Sequence, residues 1–373
     1  MRYLISPDSF KGSISSAEAC EAISLGIRKA DKNAVIHIRP MADGGEGTLE
    51  ALTKKEERVR VLTKSSLGKK HYGYIGITKD YAIVEMAQAV ALDGVKEEER
   101  NPEMSTTCGV GMLIEKAIKL GYKRILLCVG GSGTNDGGAG MMQCLGAKFF
   151  DWSGKEIMDI RAGDLISIRD ADFSRAYEKL KDISITVASD VTNPLLGDNG
   201  ASRIYGPQKG ADHDMVERLE KGLSNYADVL EKKYGKSVRD FPGTGAGGGI
   251  CYPLVLLDKA KILSGAEAVI SHQKTDELLD ESDVLITGEG SVDSQSKSGK
   301  TLDVLCSLAQ KKNVPVVVFA GVCEDKDSIL SEYKCIRSIR TLSEIAKNKE
   351  DSKKNAKRYL EKISCTEFLD DRI

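Results

Sequence analysis

Apolar positions along this chain fall into two textures. At the start, Tyr3–Ile5 predicts a strand and Pro7–Ser13 a polar loop. Ser15 and Glu18 have the spacing of a capping box, and Ile23, Ile27 and Ala30 then fall on one helical face. Val35–Ile38 predicts a second strand, closed by Pro40. Strand, helix, strand is how a right-handed parallel unit begins. The pattern then shortens: Arg58–Leu62, His71–Ile77 and Tyr81–Met86 alternate between Gly and Lys turns, as in an antiparallel meander. Thr106–Leu120 has helical spacing through Val110, Leu113, Ile114, Ala117 and Ile118, and Gly121 stops it. Arg124–Val129 predicts a buried strand that runs into the glycine-rich stretch Gly130–Gly140. Ile183–Ala188 is another apolar strand, and Met215–Tyr234 a long polar helix.

Beyond Ala266 the clean α/β texture returns. Val284–Thr287, Val314–Phe319 and Ile336–Ile339 predict strands separated by helices near Thr301–Lys312 and Asp327–Glu332. The expected architecture is a doubly wound parallel-sheet domain built from both ends of the chain, residues 1–42 plus 265–373. A mixed α/β domain, 43–264, is inserted in it. The lysine-rich stretch Lys347–Lys362 predicts a solvated terminal helix.

Composition changes this picture little. The 373 residues exceed what one core usually supports, so two domains are expected. A formal charge of −2 disfavours a nucleic-acid binder. The nine cysteines form no C-x-x-C pair and read as reduced core residues. The four histidines lack metal-ligand spacing. No run has the length of a membrane span, and the first residues do not read as a signal peptide, so a cytoplasmic location is expected.

Six polar, glycine-rich clusters carry the candidate chemistry: Asp8–Ser13, Ala42–Thr48, Gly130–Gly140, Ser189–Gly210, Gly243–Gly249 and Gly288–Thr301. Four begin where a predicted strand ends, which is where parallel sheets hold ligands. Gly299–Thr301 resembles the end of a Walker A loop, but Ser294 stands where that motif needs glycine. Gly243, Gly245 and Gly248 fit a dinucleotide fingerprint, yet Phe241 and Pro242 precede them instead of a strand. The charges suit phosphoryl transfer, which needs a divalent ion, cations on phosphate oxygens and a carboxylate for a hydroxyl proton. Asp43, Glu46, Asp136, Asp190, Glu289 and Asp293 are acidic side chains embedded in these loops, and Lys11, Lys209 and Lys300 are the candidate clamps. Capping and turn formation are the competing explanation for the aspartates.

Six segments in order, Pro7–Ser13, Ala42–Thr48, Gly130–Gly138, Ser189–Leu195, Tyr205–Gly210 and Gly288–Gln295, resemble those of bacterial type-1 glycerate kinases. The likeness runs to about residue 325. It implies a flavodoxin-like domain interrupted by a second α/β domain, with the active site in the cleft between them. It also implies ATP-dependent phosphorylation of D-glycerate to a phosphoglycerate. Mg2+ is expected from the acidic loops, and 2-phosphoglycerate is favoured over 3-phosphoglycerate as the product. Under this resemblance Asp190, Asp293 and Lys11 are the expected catalytic residues. Asp8, Ser9, Ser13, Asp43, Gly44, Gly45 and Gln295 would bind substrate. Gly131, Ser132, Gly133, Thr134, Asn135, Gly288, Gly290 and Lys300 would bind nucleotide phosphates, and Asp190, Asp136 and Glu289 would hold the metal. Val90, Ala91 and Cys108 depart from the family's pattern near the expected site. A kinase for another small hydroxy acid and a non-catalytic metabolite sensor are the alternatives, and the sequence does not decide between a monomer and a homodimer.

Overall fold

The computed structural model of the chain describes residues 1–292 and 301–370. Thirteen strands occur among them: β1 (Arg2–Ile5), β2 (Val35–Ile38), β3 (Arg58–Lys64), β4 (Lys70–Ile77), β5 (Ala82–Glu85), β6 (Arg124–Cys128), β7 (Lys148–Asp151), β8 (Ile168–Asp172), β9 (Ser184–Ala188), β10 (Ala260–Leu263), β11 (Val284–Val292), β12 (Val316–Cys323) and β13 (Ile336–Thr341). The chain divides into two compact units. One is Met1–Asp43 with the segment from Gly265 onward, and the other is Gly44–Ser264.

The discontinuous unit holds a five-stranded sheet in the order β13-β12-β11-β1-β2, parallel throughout. Its inner strands are covered on both faces, which is why they read as unbroken apolar runs. The helix Ser16–Ala30 starts as the sequence predicts, with Ser15 and Glu18 completing a capping box. Ala19, Ile23, Ile27 and Ala30 are buried. Two expectations change here. β11 continues past Thr287 through Gly288, Glu289 and Gly290 to Val292, because those residues pair with Phe319–Cys323 of β12. Glycine is required at 288: a Cβ there would lie 1.9 Å from the Phe319 carbonyl oxygen. The lysine-rich tail is also not simply solvated. It breaks into helices Lys349–Lys354 and Ala356–Asp370, and the second buries Ala356, Leu360, Ile363 and Phe368 in the unit's core. Phe368 meets Tyr3 edge to face, with ring centroids 5.1 Å apart.

The inserted unit holds a six-stranded sheet ordered β10-β9-β6-β5-β4-β3. The first four strands are mutually parallel, while β3, β4 and β5 form the antiparallel meander that the sequence suggests. β7 and β8 make a separate antiparallel pair. Helix Cys108–Lys119 buries Val110, Leu113, Ile114 and Ala117. Helix His213–Tyr234, polar in sequence, buries Leu219, Leu223, Tyr226 and Leu230. Cys108 and Cys144 are joined by a disulfide with Cα atoms 5.5 Å apart, which corrects the expectation of nine reduced cysteines. Helix Ala139–Leu145 packs beside helix Cys108–Lys119 and carries the second cysteine to the first. A separation of 36 residues gives no spacing signal for such a pair. Among the described residues no helix is long and apolar enough to cross a membrane.

Candidate functional site

In the discontinuous unit the charged residues collect just past the carboxyl end of β1. The chain leaves β1 still bonded to β11, since the Asp8 N–H donates to the Gly288 carbonyl (2.8 Å). One Asp8 carboxylate oxygen accepts from the Ser9 N–H (2.6 Å) and the other from the Thr301 hydroxyl (2.9 Å). Burial raises the Asp8 pKa above the usual carboxylate value, and those two hydrogen bonds oppose the rise. Lys11 donates to Asp43 (3.3 Å), and this neighbour chiefly, with Asp8 and Glu289 behind it, raises the lysine's pKa. The pair is solvent-exposed, so it positions charge more than it stabilises the fold. Asp8, Ser9, Lys11, Asp43 and Glu289 are thus brought into one neighbourhood. Ser13 is not available in the same way: its hydroxyl donates to the Lys353 carbonyl and ties the loop to the C-terminal helices. Gly288 and Gly290 sit in the ladder of β11 instead of a phosphate loop. Asp293, Gln295 and Lys300 lie outside the described residues.

In the inserted unit, β5, β6, β9 and β10 are parallel, so Glu85, Gly130 and Ser189 emerge at the same edge of the sheet. The stretch Gly44–Gly47 runs across those ends. A Cβ at Gly44 would fall 2.7 Å from that of Ala188, and one at Gly130 would fall 2.8 Å from the Gly45 Cα, so neither glycine tolerates a side chain. Asp190 lies two residues beyond β9 and is exposed. Asn193 stays near the strand end through the Tyr205 hydroxyl, which donates to its Oδ1 (2.7 Å).

The Gly130–Gly140 loop does not have the open form expected of an anion cradle. Thr134, Asn135 and Asp136 are fully buried. Asp136 accepts from the Thr107 N–H (2.7 Å), the Thr107 hydroxyl (2.9 Å), the Gly140 N–H (3.0 Å) and the Gly138 N–H (3.1 Å). Desolvation raises its pKa and those donors pull it back. Three of these donors meet Oδ2 and one, the Gly138 N–H, meets Oδ1, so Asp136 organises the loop from a fully buried position. The Asn135 amide donates to the Ser202 hydroxyl (3.0 Å), which removes it from the phosphate-binding set, and Thr134 turns its hydroxyl toward the Gly247 carbonyl (3.4 Å). The Gly133 N–H donates to Val90 and the Leu92 N–H to Gly131 (both 2.8 Å), so Val90 and Ala91 brace the loop. Gly130, Gly131 and Gly133 remain at least partly accessible, with Ser132 nearly covered.

Lys209 and Glu85 are the perturbed groups of this unit that lie beside these loops. Lys209 is buried and donates to the Thr134 carbonyl (2.7 Å) and the Ser132 hydroxyl (3.4 Å). Desolvation brings its pKa down to about 8, with Asp136 opposing the drop. Glu85 is the residue that sequence reasoning missed. It ends β5 and accepts from the Gly47 N–H (3.0 Å) and the Leu49 N–H (2.9 Å). Burial raises its pKa to about 7. Its signal was an acidic residue closing an otherwise apolar strand. Among the described residues no group of three or more His, Cys, Asp or Glu side chains is arranged to hold a metal.

Fold and site together define a two-unit α/β protein with charged side chains gathered at the carboxyl ends of its parallel strands. The sequence profile of the glycerate kinase family matches residues 3–367, well past the point where the six segments end. The chain is 42% identical to "Glycerate 2-kinase" of Escherichia coli K12 over 355 residues, covering 92% of this chain and 93% of that protein. It is 36% identical to "Glycerate kinase" of Bacillus subtilis 168, covering 98% and 96%. A crystal structure of a Salmonella typhimurium LT2 protein assigned as glycerate kinase 2 superposes with a TM-score of 0.87 at 34% identity, covering 100% of this chain and 98% of that one. The chain belongs to the glycerate kinase family.

Proposed function

We propose that this protein is a cytoplasmic, ATP-dependent D-glycerate kinase whose product is 2-phosphoglycerate. The observation that carries the reading is the near full-length match to relatives named glycerate kinase, one of them a glycerate 2-kinase. In the transfer a glycerate hydroxyl oxygen attacks the γ-phosphorus, the bond to the β–γ bridging oxygen breaks, and ADP leaves. Asp190, exposed at the end of β9, takes the hydroxyl proton. Lys11, held toward Asp43, supplies a positive charge for an anionic group of the substrates, and Asp8 and Ser9 shape the same loop. Gly130 and Gly131, at least partly accessible, are where the longer loop leaves backbone for phosphate oxygens.

Magnesium fits this donor set through one carboxylate, with nucleotide oxygens and water completing its shell. Glu289, whose charge acts on Lys11 beside Asp43 and Asp8, is the carboxylate assigned to it, since Asp136 is fully buried and already accepts four hydrogen bonds. When bound, the ion neutralises charge on the phosphate oxygens. The test is ADP release across a panel of small hydroxy acids. D-Glycerate should give the highest kcat/KM. A different acid at the top would replace the substrate, and ligand-induced stabilisation with no turnover anywhere would replace the enzyme with a sensor.

A further inference from the structure

We propose that Glu85 is a positioning residue whose carboxylate holds the Gly44–Gly47 strap across the ends of β6 and β9, and that the strap loosens when Glu85 takes up a proton. Glu85 closes β5 and is 1% exposed. Its two oxygens accept from separate points of one segment, Oε1 from the Gly47 N–H and Oε2 from the Leu49 N–H. Those N–H groups belong to the start of helix Thr48–Leu52, where Gly47 has a positive φ of 90° and offers no side-chain cap. The N-cap position is thus served from another strand. The strap itself has no slack. Gly44 packs on Ala188, the last residue of β9 and two before Asp190, while Gly45 packs on Gly130. A shift of the strap therefore presses directly on Ala188, Gly130 and Gly131, and reaches Asp190 two residues along the chain from Ala188, so no interaction of Glu85 with substrate is needed.

The surroundings make this hold sensitive to protons. The charged groups acting on Glu85 are Glu50 of the capped helix and Glu46 of the strap, both carboxylates that favour its neutral form. Across the sheet, Cys128 of β6 is its register partner. Helix Ala87–Val90, next along the chain, presents no ionisable side chain, and β4 turns its His71 to the Ala89 carbonyl (2.9 Å). Burial and these two carboxylates bring the pKa to about 7, so the charged acceptor that binds two N–H groups best is lost in mild acid.

The inference rests on the kinase reading only where activity is measured, and one arm of the test avoids activity altogether. In the wild-type protein, amide hydrogen exchange at Gly47 and Leu49, corrected for intrinsic rate, should show protection on the order of tenfold higher at pH 8 than at pH 6. In the activity arm, wild-type kcat/KM should fall below pH 7. Glu85→Gln should be about tenfold or more slower at pH 8 and lack that limb, because small misplacements near a reaction are costly. Equal protection of both amides at the two pH values overturns the proposal, as does a Glu85→Gln enzyme that keeps the wild-type pH limb. Absence of glycerate turnover in the wild type would sink the kinase reading and leave the exchange result to decide this one. The exchange arm also stands if the variant fails to fold.

Discussion

Asp136 and Asp190 are both aspartates in loops that follow parallel strands, and burial gives them opposite uses. Asp136 is fully buried and accepts four hydrogen bonds. Asp136→Ala would orphan those donors. At ~1–3 kcal/mol for each unsatisfied buried group, the loss in urea unfolding should reach roughly 3 kcal/mol or more. Asp190 is exposed, so Asp190→Asn should leave the melting temperature nearly unchanged while kcat falls by about 10²–10⁴-fold, the usual range for a lost general base. Retained kcat in that variant contradicts the assignment. Glu85 adds a pH signature to stability. Its folded pKa, about 7, lies above its ordinary value of 4.5, so the stability it contributes is full below pH 4.5 and is lost as pH rises to about 7. Against Glu85→Gln, wild-type stability should decline across that window by at most about 3 kcal/mol, read from denaturant midpoints at matched pH. A carboxylate that costs stability at working pH and holds a strap in place is the kind of trade found near functional sites.

At the scale of elements, local codes were legible and long-range ones were not. The capping box at Ser15 and Glu18 and the apolar stripe through Ile23 and Ile27 specify helix Ser16–Ala30 without help from the rest of the fold. The helix Ala356–Asp370 was hidden because its lysines mask Ala356, Leu360 and Ile363, which only the finished core identifies as inward-facing. Leu360→Ala should accordingly cost about 2–5 kcal/mol, measured by chemical denaturation. A surface helix would lose almost nothing. Gly288–Gly290 read as a loop because glycine is usually a turn residue, whereas here it allows two strands to approach closely. The Cys108–Cys144 bond joins two packed helices. Alkylation of the unreduced, denatured protein should therefore label seven cysteines, and reduction should raise the number to nine. Nine before reduction would remove the bond.

For the whole molecule, the alternation of textures correctly indicated a parallel α/β sheet and a mixed one, because the periods of strands and helices are set residue by residue. The site was only partly legible. Sequence order picked out Asp8, Lys11 and Asp43, which the structure brings together, and Asp190 at a strand end. It also assigned ligand roles to Ser13, Asn135 and Asp136, whose hydroxyl, amide nitrogen and carboxylate respectively are bonded within the chain. Residue type alone cannot separate a polar group that faces a ligand from one that holds a loop, since both need the same chemistry. Glu85 shows the converse, a buried acid whose partners are backbone groups with no sequence signature. The most direct measurement is ADP release from ATP with D-glycerate, with the product passed to enolase, which dehydrates 2-phosphoglycerate but not its 3-isomer. The predicted result is D-glycerate-dependent ADP release whose product enolase consumes without a mutase. ADP release no faster with D-glycerate than without it would contradict the account.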